Sequence, residues 1–405
     1  MVETSNKTIV VVNDYDYVQG GATKVAVDTA NILDECGYNV VFFCGVSDPE
    51  RSTLNKSIRV VASNKDDVLS GKHYFRGIYN RTAKKAFKRL LKEFDHKNTI
   101  IHIHGWTKAL TASFITPAHR MGFKSVLTLH DYFTICPNGG LFNFKKCHIC
   151  HIKPFSLKCQ LCNCDSRNYP FKVYRNIRLF VQNKIINFPK KITKFISISD
   201  TSESLVRNKL TKIDVERIYN FVDITKKEPI KFENNKSYLY VGRVDKEKGV
   251  DSLCESFTNL DDKLLIAGSG GELESLKEKY KDHTNIKFLG WKSSEEVKEY
   301  MKTSRALIMP SLWYEGAPLT LFEASAIGLP TIVSKYCSGK EFVTNETGWI
   351  FDPLDNNDLV KIINEIEDND IKSRRIALYD SYWKNPFSKE RYISSLTHFY
   401  EELLK

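Results

Sequence analysis

The sequence predicts an α/β protein built from two doubly wound, Rossmann-like domains facing a cleft, and three observations carry that expectation. Short, unbroken apolar runs recur along the chain, separated by helical patterns. Such runs are the strands of parallel sheets buried on both faces. The alternation stops at a polar stretch, Thr225–Ser237, and then begins again. With 405 residues there is room for two or three domains, and 42% hydrophobic and 27% charged residues make an ordinary globular composition.

The elements follow in order. Thr8–Asn13 is the first strand, and a loop with Gly20-Gly21 leads into a helical pattern over Ala22–Cys36. Val25, Ala26, Thr29, Ile32 and Leu33 share one face of that helix, and Gly37 stands where a C-cap belongs. Further strands fit Val40–Cys44, Thr99–His104, Ser125–His130 and Lys194–Ser199. After the linker they fit Tyr238–Val241, Lys263–Ala267, Ile286–Leu289, Ala306–Met309 and Thr331–Val333. The tail Ser388–Lys405 carries a helical stripe, Tyr392, Ile393, Leu396, Phe399 and Leu403. The domains are therefore expected at 1–215, 216–383 and, as a helix packing back on the first, 384–405. Ligands of such sheets bind at the carboxyl ends of the strands.

No apolar run reaches the ~18 residues of a membrane span. The opening MVETSNKTIVVVND shows no secretion signal, so a cytoplasmic protein is expected. Its ten cysteines are then thiols or metal ligands rather than disulfides. The net charge of +11 is uneven: residues 1–195 hold 30 Lys and Arg against 14 Asp and Glu, while residues 196–405 hold 30 against 35. The asymmetry points to an anionic partner for the first half, a nucleic acid, a lipid surface or a phosphorylated substrate, with a well-solvated basic surface as the other reading. Two basic stretches interleaved with aromatics, Lys72–Lys97 and Lys172–Lys194, suit an anionic membrane surface, or else are solvated helices with an apolar stripe turned inward. No recognition module for nucleic acid accompanies the charge.

Three segments carry chemistry. In Tyr240–Val250 a strand ends at Gly242, and Arg243 and Lys248 lie in the turn before a helix, a forked donor and a point charge suited to a diphosphate. In Leu265–Glu272 another strand meets Gly268-Ser-Gly270-Gly271, where a backbone can approach a phosphate closely. In Pro310–Ala324, Glu315 lies in a loop and Glu323 in the helix that opens near Pro318, each able to accept paired hydrogen bonds from vicinal hydroxyls.

Together with Gly20-Gly21, the Thr128-Leu-His130-Asp131 strand end and Ile218–Asp223, these motifs resemble the retaining glycosyltransferases of family four, which have the GT-B fold. The resemblance covers nearly the whole chain. It implies that Gly20 and Gly21 supply backbone contacts near the donor phosphate and acceptor, and that His130 sits by the reacting sugar. Arg243 and Lys248 would stabilise charge on the departing nucleotide diphosphate. Glu315 would hold donor-sugar hydroxyls and Glu323 the ribose hydroxyls, with Gly268, Gly270, Gly316, Ala317 and Leu319 lining the donor. Asn220 belongs to the same set, although Phe221 stands where the family usually has Gly. The resemblance further implies no cofactor for catalysis, a UDP-linked donor, and a lipid-linked saccharide acceptor of bacterial surface-polysaccharide synthesis at the inner membrane face.

Six of the ten cysteines fall between Cys136 and Cys164. The pattern Cys147-x2-Cys150-x8-Cys159-x2-Cys162 is compatible with a structural zinc in a Cys-rich insertion over 136–166, with free buried thiols and redox or iron–sulfur chemistry as the alternatives. Two other functions weigh against the leading one: a zinc-containing nucleic-acid-binding protein, and a nucleotide-sugar epimerase of the same fold.

Overall fold

The computed structural model describes residues 7–64, 74–231 and 237–405. The start of the basic stretch Lys72–Lys97 and part of the linker Thr225–Ser237 lie outside the described residues. The chain forms two compact units, one of Met1–Gly140, Ile152–Asn220 and Tyr392–Lys405, the other of Leu141–His151 and Phe221–Arg391.

In the first unit the strands are β1 (Thr8–Tyr15), β2 (Asn39–Val46), β3 (Arg59–Ala62), β4 (Thr99–Ile103) and β5 (Lys124–Thr128). A hairpin of β6 (Phe142–Asn143) and β7 (His148–Ile149) follows and belongs to the second unit; β8 (Lys194–Ser197) and β9 (Val215–Arg217) complete the first. The seven strands lie in the order β3-β2-β1-β4-β5-β8-β9, all parallel. Ile9, Val10, Val11 and Val12 are wholly buried, as a central strand covered on both faces requires. The helix Gly21–Glu35 turns Val25, Ala26, Ile32 and Leu33 into this core. The strand expected to run to His130 ends at Thr128, because the His130 N–H turns back to the Thr128 carbonyl. The edge strands β3 and β9 have no counterpart in the sequence reading: they are short, partly exposed and lack an apolar run.

The helix Lys389–Leu404 belongs to the first unit from Tyr392 onward. Leu396, Phe399 and Tyr400 are fully buried, which stabilises the docking by roughly 1.5–3 kcal/mol for each large side chain. Two hydrogen bonds fix its register: Tyr392 Oη lies 2.8 Å from Thr29 Oγ1, and Tyr400 Oη 2.6 Å from His102 Nδ1.

The second unit holds β10 (Ser237–Val241), β11 (Lys263–Ala267), β12 (Ile286–Gly290), β13 (Ala306–Met309), β14 (Thr331–Ser334) and β15 (Gly348–Phe351). They form one parallel sheet in the order β12-β11-β10-β13-β14-β15. Both sheets reverse their strand order beside their first strand, between β1 and β4 and between β10 and β13, and such reversals open a crevice at the carboxyl edge. The Cys-rich stretch 136–166, expected as one insertion, is divided between the units. Phe142 and Ile149 of the hairpin bury themselves against Leu312, and the Phe144 ring meets Trp313 at 6.3 Å, which ties Leu141–His151 to the second unit.

Candidate active site

The second unit brings its motifs together at the carboxyl ends of three adjacent strands, β11, β10 and β13. The turns after β10 and β11 are laced by backbone hydrogen bonds, Val244 N–H to the Ser269 carbonyl and Glu272 N–H to the Val244 carbonyl. Gly268 is required by this approach, since a Cβ there would lie 1.7 Å from the Gly242 carbonyl oxygen. Gly270 is equally confined, with 2.3 Å to the Val244 oxygen. The loop after β13 joins the cluster through Leu312 N–H, which donates to the Glu247 carbonyl at 2.9 Å.

Lys248 Nζ lies 3.0 Å from Glu315 Oε1, and the Ser311 hydroxyl donates to the same carboxylate. Burial opposes ionisation of Glu315, but Lys248 and Ser311 overcome it and hold the carboxyl below its ordinary range. Glu315 is therefore a charged acceptor at neutral pH, suited to receiving hydroxyl hydrogen bonds. The ammonium also faces the Trp313 ring at 5.4 Å. Arg243 is paired with Asp245 and with Glu247, the latter at 2.8 Å, and its side chain stays 58% exposed, so the guanidinium is held at the rim with access to solvent. Gly316, Ala317 and Pro318 lead into the helix Leu319–Ala326, and the Ser338 hydroxyl donates to the Gly316 carbonyl. Glu323 falls within that helix and is half-buried.

In the first unit, Gly20 and Gly21 open the helix Gly21–Glu35 with no side-chain cap. A Cβ at either would meet nothing within 4 Å, so packing does not demand glycine there and the helix N-terminus remains open to an anion. Asn220 is buried where the chain passes to the second unit, followed by the buried Phe221. His130 joins a stack that sequence reasoning missed: His130 Nε2 lies 2.9 Å from His104 Nδ1, and the rings of His104 and His102 are 4.2 Å apart. Burial lowers the pKa of all three, His130 to about 4 and His102 to about 3. Asp131, beside His130, is pushed up to about 6 by burial.

Asp14 and Asp16 also escaped the sequence reading. Asp14 accepts from the N–H groups of Lys108, Ala109 and Leu110 at 2.8–3.0 Å, and Asp16 from the Ser47 hydroxyl and the Asp48 N–H. Both carboxylates thus brace the loops at the sheet's carboxyl edge. The only sequence signal was their place directly after an apolar strand.

The four cysteines named for zinc divide as Cys147 and Cys150 in the second unit and Cys159 and Cys162 in the first. Among the described residues no group of three or more His, Cys, Asp or Glu is arranged to hold a metal ion. Cys159 Sγ lies 3.6 Å from the Nζ of the buried Lys172. Among the described residues no helix is long and apolar enough to cross a membrane.

Comparison with known proteins agrees with this arrangement. The model of Glycosyltransferase Family 4 matches residues 19–226, and that of Glycosyl transferases group 1 matches residues 222–380. An uncharacterized glycosyltransferase of Haemophilus influenzae is 25% identical over 361 residues, 86% of this chain and 87% of its own. The UDP-Gal:alpha-D-GlcNAc-diphosphoundecaprenol alpha-1,3-galactosyltransferase of Escherichia coli is 34% identical over 110 residues, 26% of this chain and 27% of its own. Among solved structures, Anabaena HepE in complex with UDP superposes with a TM-score of 0.68 at 16% identity, covering 98% of this chain and 100% of that one. The two sheets are those of a GT-B protein, the nucleic-acid-binding alternative is not favoured, and the chain belongs to glycosyltransferase family 4.

Proposed function

We propose that this glycosyltransferase moves a sugar, with retention, from a nucleotide-diphosphate sugar to a lipid-linked glycan during bacterial surface-polysaccharide synthesis. The observation that carries the donor side is the Lys248–Glu315 pair, set among glycine turns at the switch point of the second sheet. An ionised acceptor for sugar hydroxyls and a cation for the leaving diphosphate stand side by side there. Arg243 adds a second cation at the rim, and stabilising charge on a leaving group is where such a site gains most. Glu323 is the proposed acceptor of ribose hydrogen bonds. In the first unit, neutral His130 hydrogen-bonds the reacting sugar. Retention is proposed to follow front-face displacement, the leaving diphosphate taking the proton of the incoming hydroxyl.

UDP as the nucleotide is supported by the UDP bound in the HepE structure, and a lipid diphosphate acceptor by the diphosphoundecaprenol in the name of the E. coli relative. The excess of cations in residues 1–195 suits such an acceptor at an anionic membrane face. Calorimetry with a panel of nucleotide sugars tests the donor side. Saturable binding to one nucleotide class, weakened by Glu323→Ala and Arg243→Ala, supports the reading; binding that both substitutions leave intact overturns it. The zinc expected at Cys147, Cys150, Cys159 and Cys162 is a separate matter for metal analysis: a stoichiometric ion carries it, and none in the purified chain removes it.

A further inference from the structure

A cavity of about 1040 Å³ opens on the first unit, and no residue assigned above to the donor lines it. Lys153, Lys184, Lys190 and Lys209 line it, and no Asp or Glu does. None of the four lysines forms an ion pair among the described residues, although the chain pairs many of its other cations. Like charges gathered without a counter-ion repel one another, so the arrangement is costly until an anion joins it.

A second observation concerns the wall of the same space. Thr134 lines the cavity, is wholly buried, and its hydroxyl has no hydrogen-bond partner. The hydroxyl is shielded from solvent as it stands, so it reaches a ligand oxygen only by a side-chain rotation, and that contact relieves the cost of leaving it unpaired. The wall around it is held in place by Asn183, whose amide donates to the Thr134 carbonyl at 2.8 Å. Phe155 and Asn187, also in the lining, take left-handed backbone conformations with φ of 62° and 59°, and the intervening wall Val181–Ile185 is a π-helix. Both are uncommon conformations that concentrate at ligand sites.

We propose that this cavity binds a phosphate group carried by a lipid headgroup. Several lysines and one hydroxyl around an open, acid-free hollow are the donors a phosphate or diphosphate takes. The lipid source follows from what lies along the same helical run: Ile177, Phe180 and Ile185 are 48%, 50% and 65% exposed, an apolar strip beside a cationic pocket. The inference rests on the proposed function only in that a lipid-linked acceptor would bring such a headgroup to the protein. The phosphate chemistry stands on the pocket alone.

Lysine acylation of the full chain, read residue by residue by mass spectrometry, tests it in three arms: inorganic pyrophosphate, phosphatidylglycerol vesicles and phosphatidylcholine vesicles. Lys184 and Lys190 are expected to react about tenfold more slowly with pyrophosphate and with the anionic vesicles, and at an unchanged rate with the neutral ones. Thr134→Val is expected to weaken pyrophosphate protection of these lysines by about tenfold while leaving Tm unchanged or raised, which a purely structural threonine would not do. Protection confined to Lys248 overturns the pocket and leaves the donor site standing. Protection of Lys88 and Lys92 equal to that of the pocket lysines reduces the effect to general surface charge and also overturns it. Protection by pyrophosphate with none by phosphatidylglycerol keeps the phosphate site and overturns the lipid source.

Discussion

Lys248 Nζ stands 3.0 Å from Glu315 Oε1, with the two side chains only 16% and 12% exposed. Sixty-seven positions apart in sequence, they meet because β10 and β13 are neighbours in the sheet and both loops leave its carboxyl edge. Removing one partner leaves the other charge stranded. Lys248→Met is expected to cost roughly 3 kcal/mol of stability, and Lys248→Met combined with Glu315→Gln less than the sum of the single changes. Turnover should fall by at least about a hundredfold in either single variant. Urea unfolding and initial rates on a double-mutant cycle check both; strictly additive stability losses would remove the pairing. Because the folded pKa of Glu315 is depressed, its contribution is complete above the unfolded value of about 4.3 and is lost as pH falls through the folded one.

The two sets of glycines should separate packing from ligand contact. Gly268→Ala drives a methyl into the Gly242 carbonyl and is expected to destabilise the second unit by about 1–3 kcal/mol. Gly21→Ala meets no neighbour and sits inside a helix, so stability should hold or rise by up to about 1 kcal/mol while turnover drops. Thermal melts beside activity assays read the contrast. A Gly21→Ala enzyme of full activity would remove the backbone contact proposed there.

The histidine stack makes the first unit acid-sensitive. Burial lowers His102 to about 3 and His130 to about 4, with His104 depressed as well, whereas unfolded histidine titrates near 6.5. The unfolded chain therefore binds more protons across the window from about 6.5 down to about 4, and stability falls as pH falls through it. Each histidine contributes up to about 1.4 kcal/mol per pH unit. Urea midpoints at pH 7.5, 6.5 and 5.5 should decline in that order, and a flat series would contradict the burial. Sugar transfer that needs neutral His130 should show no protonation limb between pH 6 and 8.

Tyr400 closes the first unit from the far end of the chain. Tyr400→Phe removes the 2.6 Å hydrogen bond to His102 and is expected to cost about 1–3 kcal/mol, with native packing retained. Leu396→Ser is expected to cost more, since that side chain is fully buried in the helix interface. Differential scanning calorimetry of both variants tests the order.

The α/β class, the restart of the pattern after the linker and most of the central strands were legible because a strand buried on both faces must be apolar throughout. Thr8–Asn13 and Lys263–Ala267 could be read for that reason alone. The glycine and charged segments after Val241, Ala267 and Met309 were legible as well, since glycine turns and charged residues at strand ends are local features. The edge strands Arg59–Ala62, Val215–Arg217 and Gly348–Phe351 were not, because an edge need not be apolar and its pairing depends on a distant neighbour.

The local sequence determined which segments are strands and helices, and which residues carry charge or lack a side chain. Only the tertiary structure decided that Ser311 and Trp313 flank the Lys248–Glu315 pair, that His104 stacks on His130, and that Phe142 and Ile149 carry part of the cysteine-rich stretch to the second unit. Each of these depends on strand order and on desolvation by residues remote in the chain, and neither has a signature within the span of a single motif.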